Sequence, residues 1–595
     1  MSNSPSLPPV IESWTRDTRA IEGLFTPEEV DHLEQVRRAV GREHRTVAYC
    51  VYENPFAKGG GIFAVADNLP SALRRHGDDV VVISPFHRNL KGAESALSTL
   101  RSIRKIDVAW DHGVVQVELL EHVRKGIRWV LLHAEGFFEA EGGGDGTNPY
   151  TYSAASRLLT DSLFACAAIP SVLAALGKTR DIIVHLQDWE MASAALTVKL
   201  ALLGGQLESA AVLLTSHNPY DHYLAEYALA RITDRIDPAQ WPSVGSGVGL
   251  VGNRATVYDR MMPLTDGPIS TVSCGFAGGL TTEPLQTSHF TSHLQGAFES
   301  QGIVGISNGV FASADAEPPF ANAAVKEAHE GKSRRILRAK EKKRAKMIEV
   351  INGYSDDPRV AGRFGAENQP LSKKVPVFMM FGRMDPGQKG FDVLARAIEA
   401  LPRGLARFVL TPVGGMEAPV FLDDLGELAE SRPGEVVIYP FRMETGYQEL
   451  MAGASYVVMP SLYEPFGAST EPYVAGTPVV ARATGGLTDQ VGDIGANAEL
   501  ATGFLYREQV AASVDAAENW RRIQGLREPQ ARMSVPLYGA MVSSLAAALV
   551  QACGVYRYQP GQYARLLANG YDMAQSFSWE RAASEYNTWY ELATE

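Results

Sequence analysis

Short apolar runs alternate with longer, mixed segments through the first half of the chain. Each run has the length and the β-branched content of a buried strand, and the segments between the runs carry Ala and Leu at helical spacing. Strands that alternate with helices are typical of a parallel sheet, so this half predicts an α/β domain. The predicted strands are Thr46–Tyr52, Val80–Ser84, Asp181–Leu186, Ala211–Ser216 and Ile269–Cys274.

The second half of the chain repeats this alternation and predicts a second α/β domain. A chain of 595 residues is too long for a single core, so two domains are also what its length favours. The predicted strands here are Val375–Phe381, Arg407–Val413, Glu435–Tyr439, Tyr456–Met459 and Thr477–Ala481.

Three further segments have patterns of their own. Thr26–Arg42 has a cap, early acids and late bases, which predict a helix. Val114–Leu120 and Ile127–His133 alternate like the two arms of a hairpin. Lys326–Lys346 is a strongly basic helix, and its interleaved acids favour a solvated face over a site for an anionic polymer.

We therefore divide the chain into five parts. They are an N-terminal extension (1–44), a first α/β domain (45–315), the basic helix with a linker (316–374), a second α/β domain (375–560) and a closing helical segment (561–595).

The composition is that of an ordinary soluble protein, with 45% apolar and 21% charged residues. A net charge of −13 argues against nucleic acid or an anionic membrane as a main partner. The start of the chain lacks the pattern of a signal peptide, and no uninterrupted apolar run reaches the ~20 residues of a membrane span. The four cysteines lie far apart, which indicates neither a zinc site nor a disulfide framework. We expect a cytoplasmic protein and leave open whether it forms a homo-oligomer.

The most informative stretch is 456–486, which predicts a strand, a loop, a helix, a second strand and a glycine turn. A loop between a strand and a helix points backbone N–H groups at an anion, and Ser469 or Thr470 can cap the helix. Glu464 lies in this loop, where its carboxylate can meet sugar hydroxyls while the N–H groups meet phosphate.

The residues PSLYEPFG, GTPVV and TGGL of this stretch resemble the donor site of glycogen and starch synthases, which are retaining glycosyltransferases. Glu464 matches the family's sugar-binding glutamate. Glu471 resembles the glutamate that binds the ribose, although it follows after seven residues instead of eight. The resemblance implies that the amides of Phe466, Gly467, Ala468 and Ser469 bind the donor phosphates.

Five other segments carry the same resemblance. Lys58, Gly60 and Gly61 match the K-x-G-G loop, and Arg383 and Lys389 match a loop whose two cations can converge on a diphosphate. VHLQDWE is similar to V-H-x-H-D-W-H, with His185 and Asp188 retained and with Gln187 and Glu190 in place of two histidines. TSHN supplies His217 and Asn218, and the segment 576–590 resembles the family's closing helix.

The resemblance implies a glycosyltransferase-B (GT-B) fold, with two Rossmann-like domains whose parallel sheets face an interdomain cleft and a C-terminal helix that crosses back to the first domain. It implies catalytic roles for His217, Arg383, Lys389 and Glu464, with Lys58 and its glycines on the donor. His185, Asp188 and Asn218 are then substrate-binding residues. The co-substrate is a nucleoside-diphosphate sugar and the acceptor is a carbohydrate, with no separate cofactor and no metal.

Two other functions remain open at this level. The altered histidine motif, the unmatched segment 220–266 and the shifted glutamate also fit a pseudoglycosyltransferase of the acarbose-biosynthesis type, which couples a nucleotide-activated cyclitol to an amino sugar through a C–N bond. A non-catalytic relative that binds sugar nucleotide or glucan is the third alternative. Retention of Lys58, Arg383, Lys389 and Glu464 together argues against it.

Overall fold

The computed structural model describes residues 19–22, 24–144, 146–224, 226–233, 255–311, 317–364, 372–414 and 419–595. The described residues form two compact units. Unit 1 contains those up to Thr282, Gln286–Gly309 and Ser578–Glu595, and unit 2 contains Glu283–Leu285 and Val310–Phe577.

Unit 1 is built on a nine-stranded sheet with the order β3-β4-β5-β2-β1-β6-β7-β8-β9. The strands from β5 across to β9 pair in parallel, whereas β3, β4 and β5 form an antiparallel edge. The parallel strands are mostly buried because helices cover both faces of such a sheet. The strands are β1 Thr46–Cys50, β2 Asp79–Pro85, β3 Arg101–Trp110, β4 Gly113–Arg124, β5 Ile127–Ala134, β6 Ile182–Gln187, β7 Ala210–Ser216, β8 Ile269–Thr271 and β9 Ile303–Gly305.

Twelve helices among the described residues precede the second sheet and belong to unit 1. The predicted N-terminal helix is confirmed as α2, where Thr26 and Glu29 form a reciprocal capping box. The helices are α1 Arg19–Glu22, α2 Pro27–Arg38, α3 Gly61–Ala66, α4 Leu69–Arg75, α5 Ala93–Thr99, α6 Ala155–Ala175, α7 Asp188–Ala192, α8 Ala194–Leu203, α9 Glu226–Ala230, α10 Val257–Met261, α11 Cys274–Thr282 and α12 Gln295–Gln301.

Unit 2 is built on a seven-stranded sheet with the order β10-β13-β12-β11-β14-β15-β16. All of its pairs are parallel except β10 with β13. Its strands are β10 Ala361–Gly362, β11 Val377–Arg383, β12 Arg407–Val413, β13 Val436–Ile438, β14 Tyr456–Met459, β15 Val479–Arg482 and β16 Gly503–Tyr506. Its helices are α13 Asn322–His329, α14 Arg334–Gly353, α15 Phe391–Ala400, α16 Pro419–Ser431, α17 Tyr447–Gly453, α18 Thr470–Ala475, α19 Leu487–Gln490, α20 Ala516–Gly525, α21 Pro529–Arg532, α22 Pro536–Tyr558 and α23 Pro560–Ser576.

The basic segment differs from its prediction in two ways. It forms two helices, α13 and α14, instead of one. It is also part of unit 2 and not a linker, because α14 packs on α17 and buries Lys340 and Arg344 against the unit's backbone. A strongly charged pattern concealed this burial, since long basic side chains can be buried when backbone carbonyls accept their hydrogen bonds.

The last helix, α24 Trp579–Thr594, belongs to unit 1 although it follows unit 2 in the sequence. It packs on α4 and β7, and Trp589 Nε1 donates to Pro268 O at 3.0 Å. The predicted return of the chain to the first domain is confirmed.

Two helices, α6 and α22, are long and apolar enough to cross a membrane by length and composition. Each packs on a helix of its own unit, α6 on α8 and α22 on α15, which gives both a place in a core. Cys50, Cys166 and Cys553 are buried and form no disulfide among the described residues. Residues 1–18 and 234–254, and with them part of the unmatched segment 220–266, lie outside the described residues.

Candidate functional site

Glu464 and Lys389 meet at the carboxyl ends of neighbouring strands. Glu464 follows β14 and Lys389 follows β11, and these strands pair in parallel. Lys389 Nζ donates to both carboxylate oxygens of Glu464, at 3.0 and 2.8 Å, and Ser461 Oγ donates to one of them at 3.0 Å. Both side chains of the pair are mostly buried, with 19% and 11% exposed. Open α/β sheets bind ligands at this edge.

The two loops that carry this pair are held together through their backbones. Leu462 N donates to Gln388 O at 2.7 Å. Gly390 has a φ of +76°, and a Cβ there would lie 2.5 Å from Pro460 O, so this close approach requires glycine. The loops therefore form one backbone frame under the Lys389–Glu464 pair.

Arg383 ends β11 and leaves its guanidinium accessible. Its Nη2 donates to Gln388 Oε1 at 3.0 Å and lies 3.5 Å from Asp385 Oδ2. The side chain is 59% exposed. Arg383 and Lys389 thus flank the same loop, as the sequence predicts, with the arginine oriented but open to an anion.

The loop after Glu464 presents a run of backbone N–H groups. Within the described part of the chain, the N–H groups of Phe466, Gly467, Ala468 and Ser469 donate to no other group. Gln490 braces this loop, because its Nε2 donates to Phe466 O at 2.7 Å and its Oε1 accepts from the Ser469 hydroxyl. Gly467 adopts a φ of +88°, which turns the backbone here. Four N–H groups on a braced loop can donate hydrogen bonds to an anion.

The glycine turn 484–486 packs against the backbone of the loop that follows β14. A Cβ on Gly485 would lie 2.0 Å from Glu464 O, and one on Gly486 would lie 1.9 Å from Phe466 O. Gly486 N donates to Glu464 O at 2.9 Å. The predicted glycine turn therefore lets two backbone segments touch.

The prediction that Ser469 or Thr470 lies at the cap of the following helix is confirmed in position, although the expected cap hydrogen bond is not made. Ser469 occupies the N-cap position of α18, but its hydroxyl donates to Gln490 and makes no cap bond. Thr470 Oγ1 is buried without a hydrogen-bond partner among the described residues. Glu471 lies in the first turn, and burial, which outweighs the opposing effect of Lys389, raises its pKa to about 7.

In unit 1, the Lys58 loop is fixed through the buried carboxylate of Glu53. Glu53 accepts hydrogen bonds from Gly60 N at 3.3 Å, Phe63 N at 3.1 Å and the Tyr150 hydroxyl at 3.0 Å. Lys58 is exposed, and its ammonium lies 4.8 Å from the centre of the Phe63 ring.

Open space lies around Gly60 and Gly61 of this loop. A Cβ on Gly61 would meet no atom within 4 Å, and one on Gly60 would meet only Glu53 at 4.0 Å. Packing therefore does not require glycine at either position, whereas close approach of a ligand to the backbone would.

His217 directly follows β7 and lies beside Asp188, which begins α7 after β6. The His217 N–H donates to Asp188 Oδ1 at 2.6 Å, and the Tyr258 hydroxyl donates to the same oxygen at 3.2 Å. His217 Nε2 lies 2.8 Å from Gln187 Oε1, and Gln187 Nε2 in turn donates to His185 O at 3.4 Å. Nε2 of His217 is therefore the protonated nitrogen. Burial lowers the pKa of His217 to about 4, so the ring is neutral at pH 7.

Asp188 and Glu190 form a buried acidic pair beside His217. Asp188 has a φ of +57°, a strained conformation for a side-chain-bearing residue. Among the described residues, Asp188 Oδ2 and Glu190 Oε2 are buried without hydrogen-bond partners. Burial raises the pKa of Asp188 to about 7, and burial followed by the charge of Asp188 raises the pKa of Glu190. Such perturbed groups are typical of functional sites.

His185 has a structural position instead of the predicted substrate-binding one. It is fully buried within β6, where Thr215 Oγ1 lies 2.7 Å from Nε2 and the Tyr590 hydroxyl lies 2.8 Å from Nδ1. Both ring nitrogens are thus engaged, which leaves no atom for a substrate. Asn218 is partly exposed, and its Oδ1 accepts from Tyr220 N at 3.2 Å in a local turn at the end of β7.

Several supporting residues carried no signal that the sequence analysis used. Gln490, Glu53 and Tyr258 each act through contacts with residues far along the chain. Their types are common in any protein, and only the fold brings them to the site. Within the described ranges, no group of three or more His, Cys, Asp or Glu side chains is placed to hold a metal ion.

The comparisons with known proteins agree with the motifs. The profile of the starch synthase catalytic domain matches residues 46–237, and that of a family 4 glycosyltransferase in conflict systems matches residues 328–533. The glycogen synthase of Aromatoleum aromaticum is 30% identical over 491 residues, which cover 78% of this chain and 87% of that protein. The glycogen synthase of Thermotoga petrophila is 25% identical over 566 residues, which cover 92% and 98%.

One solved structure supports the fold. The catalytic domain of starch synthase IV from Arabidopsis thaliana, bound to ADP and acarbose, is similar with a TM-score of 0.68 at 19% identity, covering 93% of this chain and 100% of that one. It has the GT-B fold that the motifs predict. The chain therefore belongs to the glycogen and starch synthase family of glycosyltransferases.

Proposed function

We propose that this enzyme transfers a glucose-like unit, with retention of configuration, from a nucleoside-diphosphate sugar to a carbohydrate acceptor. The main support is the arrangement in unit 2, where the Lys389–Glu464 pair, the exposed Arg383 guanidinium and four unengaged N–H groups adjoin one another. Cations and N–H groups suit a diphosphate, and the carboxylate suits sugar hydroxyls.

In the proposed reaction, the bond between the anomeric carbon and the diphosphate oxygen breaks, and the diphosphate gains negative charge. Arg383 and Lys389 stabilise this charge, the arginine by its planar fork and the lysine as a point charge. The N–H groups after Glu464 hold the distal phosphate, and Glu464 itself accepts hydrogen bonds from the sugar. Glu471 accepts from the ribose, and Lys58 with Gly60 and Gly61 contacts the donor.

The acceptor hydroxyl forms the new bond to the anomeric carbon and passes its proton to the leaving phosphate. This same-face route requires no protein nucleophile. A neutral His217 suits the developing cation better than an imidazolium, because a second positive charge there would oppose it. Asp188 positions His217 through the 2.6 Å bond to its N–H and, with Asn218, binds substrate.

We propose ADP- or UDP-glucose as the donor. ADP and acarbose occupy the starch synthase IV structure, and this supports a nucleoside diphosphate and a saccharide as the two ligands. The relatives carry the names glycogen synthase and starch synthase, and these do not favour the C–N coupling alternative.

The test is a screen of ADP-, UDP-, GDP- and dTDP-linked glucose, each with and without maltooligosaccharide. Thermal stability reports donor binding, and mass spectrometry reports glucan growth. We expect ADP- or UDP-glucose to stabilise the protein and to lengthen the glucan. Failure of every nucleotide to bind would refute the donor assignment, whereas binding without transfer to glucan, but with coupling to an amino sugar, would refute the acceptor assignment.

A further inference from the structure

Unit 2 contains a cavity of about 170 Å³ that is separate from the donor loop. Its walls come from α14, the segment before β11, the start of β14 and the ends of α22 and α23. The charged residues that line it are Lys340, Glu341, Arg344, Lys373, Lys374 and Arg557. Five cations thus face a single acid.

The one acid does not neutralise this charge. Glu341 lies 3.6 Å from Lys373 Nζ, and both side chains are largely exposed, so the pair is weak. In the part of the chain that the structure describes, this is the only ion pair among the lining residues, and the Lys374 ammonium has neither a hydrogen bond nor an ion pair.

Two of the cations are buried, with neutral partners only. Lys340 is 5% exposed, and its Nζ donates to Ala452 O at 2.8 Å, Gly476 O at 2.8 Å and Thr477 Oγ1 at 2.6 Å. Arg344 is 6% exposed and donates to Val375 O at 2.7 Å, among other neutral oxygens.

These two side chains hold the helix in place, which explains their hydrogen bonds but not their charge. A buried cation without a counter-ion is unfavourable, and burial accordingly lowers the pKa of Lys340. A bound anion would remove this cost.

We propose that this cavity binds the phosphate group of a small phosphorylated metabolite. Its volume suits a phosphate with a small organic part, and Lys373 and Lys374, which line the cavity and are exposed, can supply charged donors. Tyr556 and Arg557 complete the wall.

The position of the cavity distinguishes it from the donor site. Ser455 lines the cavity, directly precedes β14 and accepts from Val377 N, the first residue of β11, at 3.1 Å. These same strands carry Arg383 and Glu464 at or beyond their other ends. A four-residue strand is about 13 Å long, so one anion cannot occupy both places.

The test measures binding of inorganic phosphate and of glucose 6-phosphate by calorimetry and thermal stability, at constant ionic strength in chloride. We expect saturable binding to the wild type and to Lys389→Met, whose lesion lies at the donor loop. The double variant Lys373→Ala/Lys374→Ala should bind about tenfold more weakly or not at all.

Lys342 and Lys346 provide the matched control, because both are exposed on α14 and neither lines the cavity. Their double alanine variant loses the same charge and should bind as the wild type does. Tighter binding of the sugar phosphate identifies a metabolite, and equal binding identifies free phosphate. No saturable binding, or an equal loss in both double variants, would overturn the proposal.

Discussion

Substitution of Lys389 by methionine tests the central feature of the donor site. Methionine keeps an unbranched side chain of similar length and removes only the ammonium. In the structure this ammonium donates to both oxygens of Glu464, and this ion pair joins the carboxyl ends of β11 and β14.

Two effects of different size are expected. A preorganised charged donor to a leaving group is worth about 3–4 kcal/mol in the transition state, so kcat should fall about 10²–10³-fold. The mostly buried Glu464 would also lose its counter-ion but keep the hydrogen bond from Ser461, which predicts a loss of folding stability of about 1–3 kcal/mol.

The assay is steady-state transfer from the best donor of the screen, with thermal unfolding in parallel. The double variant Lys389→Met/Glu464→Gln should recover stability but not kcat, because its neutral amide no longer needs a cation. Lys332 pairs with Glu330 at a comparable 2.9 Å on the surface, so Lys332→Met is the control and should change neither quantity. A kcat for Lys389→Met within about threefold of the wild type would refute the diphosphate assignment.

Three further predictions concern single positions. The pKa of Glu471 is about 7 in the folded state against 4.5 in the unfolded chain, so ionisation of Glu471 lowers the folding stability as pH rises between these values, by at most about 3 kcal/mol. Glu471→Gln should therefore stabilise the protein at pH 8 but not at pH 4. Equal effects of the substitution at the two pH values, measured by chemical denaturation, would contradict the pKa shift. Gly486→Ala would place a methyl group 1.9 Å from a loop carbonyl, so donor affinity should fall at least about tenfold, whereas Gly525→Ala, with open space around its Cβ, should bind the donor normally in the same titration. His185→Phe should lower the melting temperature and leave kcat of the folded enzyme largely unchanged. His217→Ala should lower kcat and have a smaller effect on the melting temperature. The reverse pattern would mean that His185 is the functional residue and His217 the structural one.

The sequence predicted the parallel strands well because they are buried on both faces and read as continuous apolar runs. It did not predict β3, the edge strand of the first sheet, where exposed polar and charged residues hide the pattern. The short strands β9 and β16 were not predicted either, although the similarly short β14 and β15 were.

The site residues that the sequence identified are those set by the local backbone. Glycine turns and strand ends can be recognised in a sequence, and the sequence therefore identified Glu464, Lys389 and Arg383 together. His185 was assigned to substrate binding through its motif, whereas the strand register turns its ring into the core between Thr215 and Tyr590. A motif thus locates a turn more reliably than it assigns each side chain within it.

The departures from the family's V-H-x-H-D-W-H motif all lie around one histidine. Gln187 stands in place of a histidine and, because its amide nitrogen donates to the backbone, its oxygen accepts the proton of His217 Nε2. This leaves Nδ1 of His217 as an acceptor. Glu190, also in place of a histidine, adds a buried carboxyl group beside Asp188 where the family has a neutral or cationic ring. Lys58, Arg383, Lys389 and Glu464 match the family, whereas this corner of unit 1 has changed its hydrogen-bonding character. The acceptor is therefore the substrate for which this enzyme's specificity should differ most from that of its relatives.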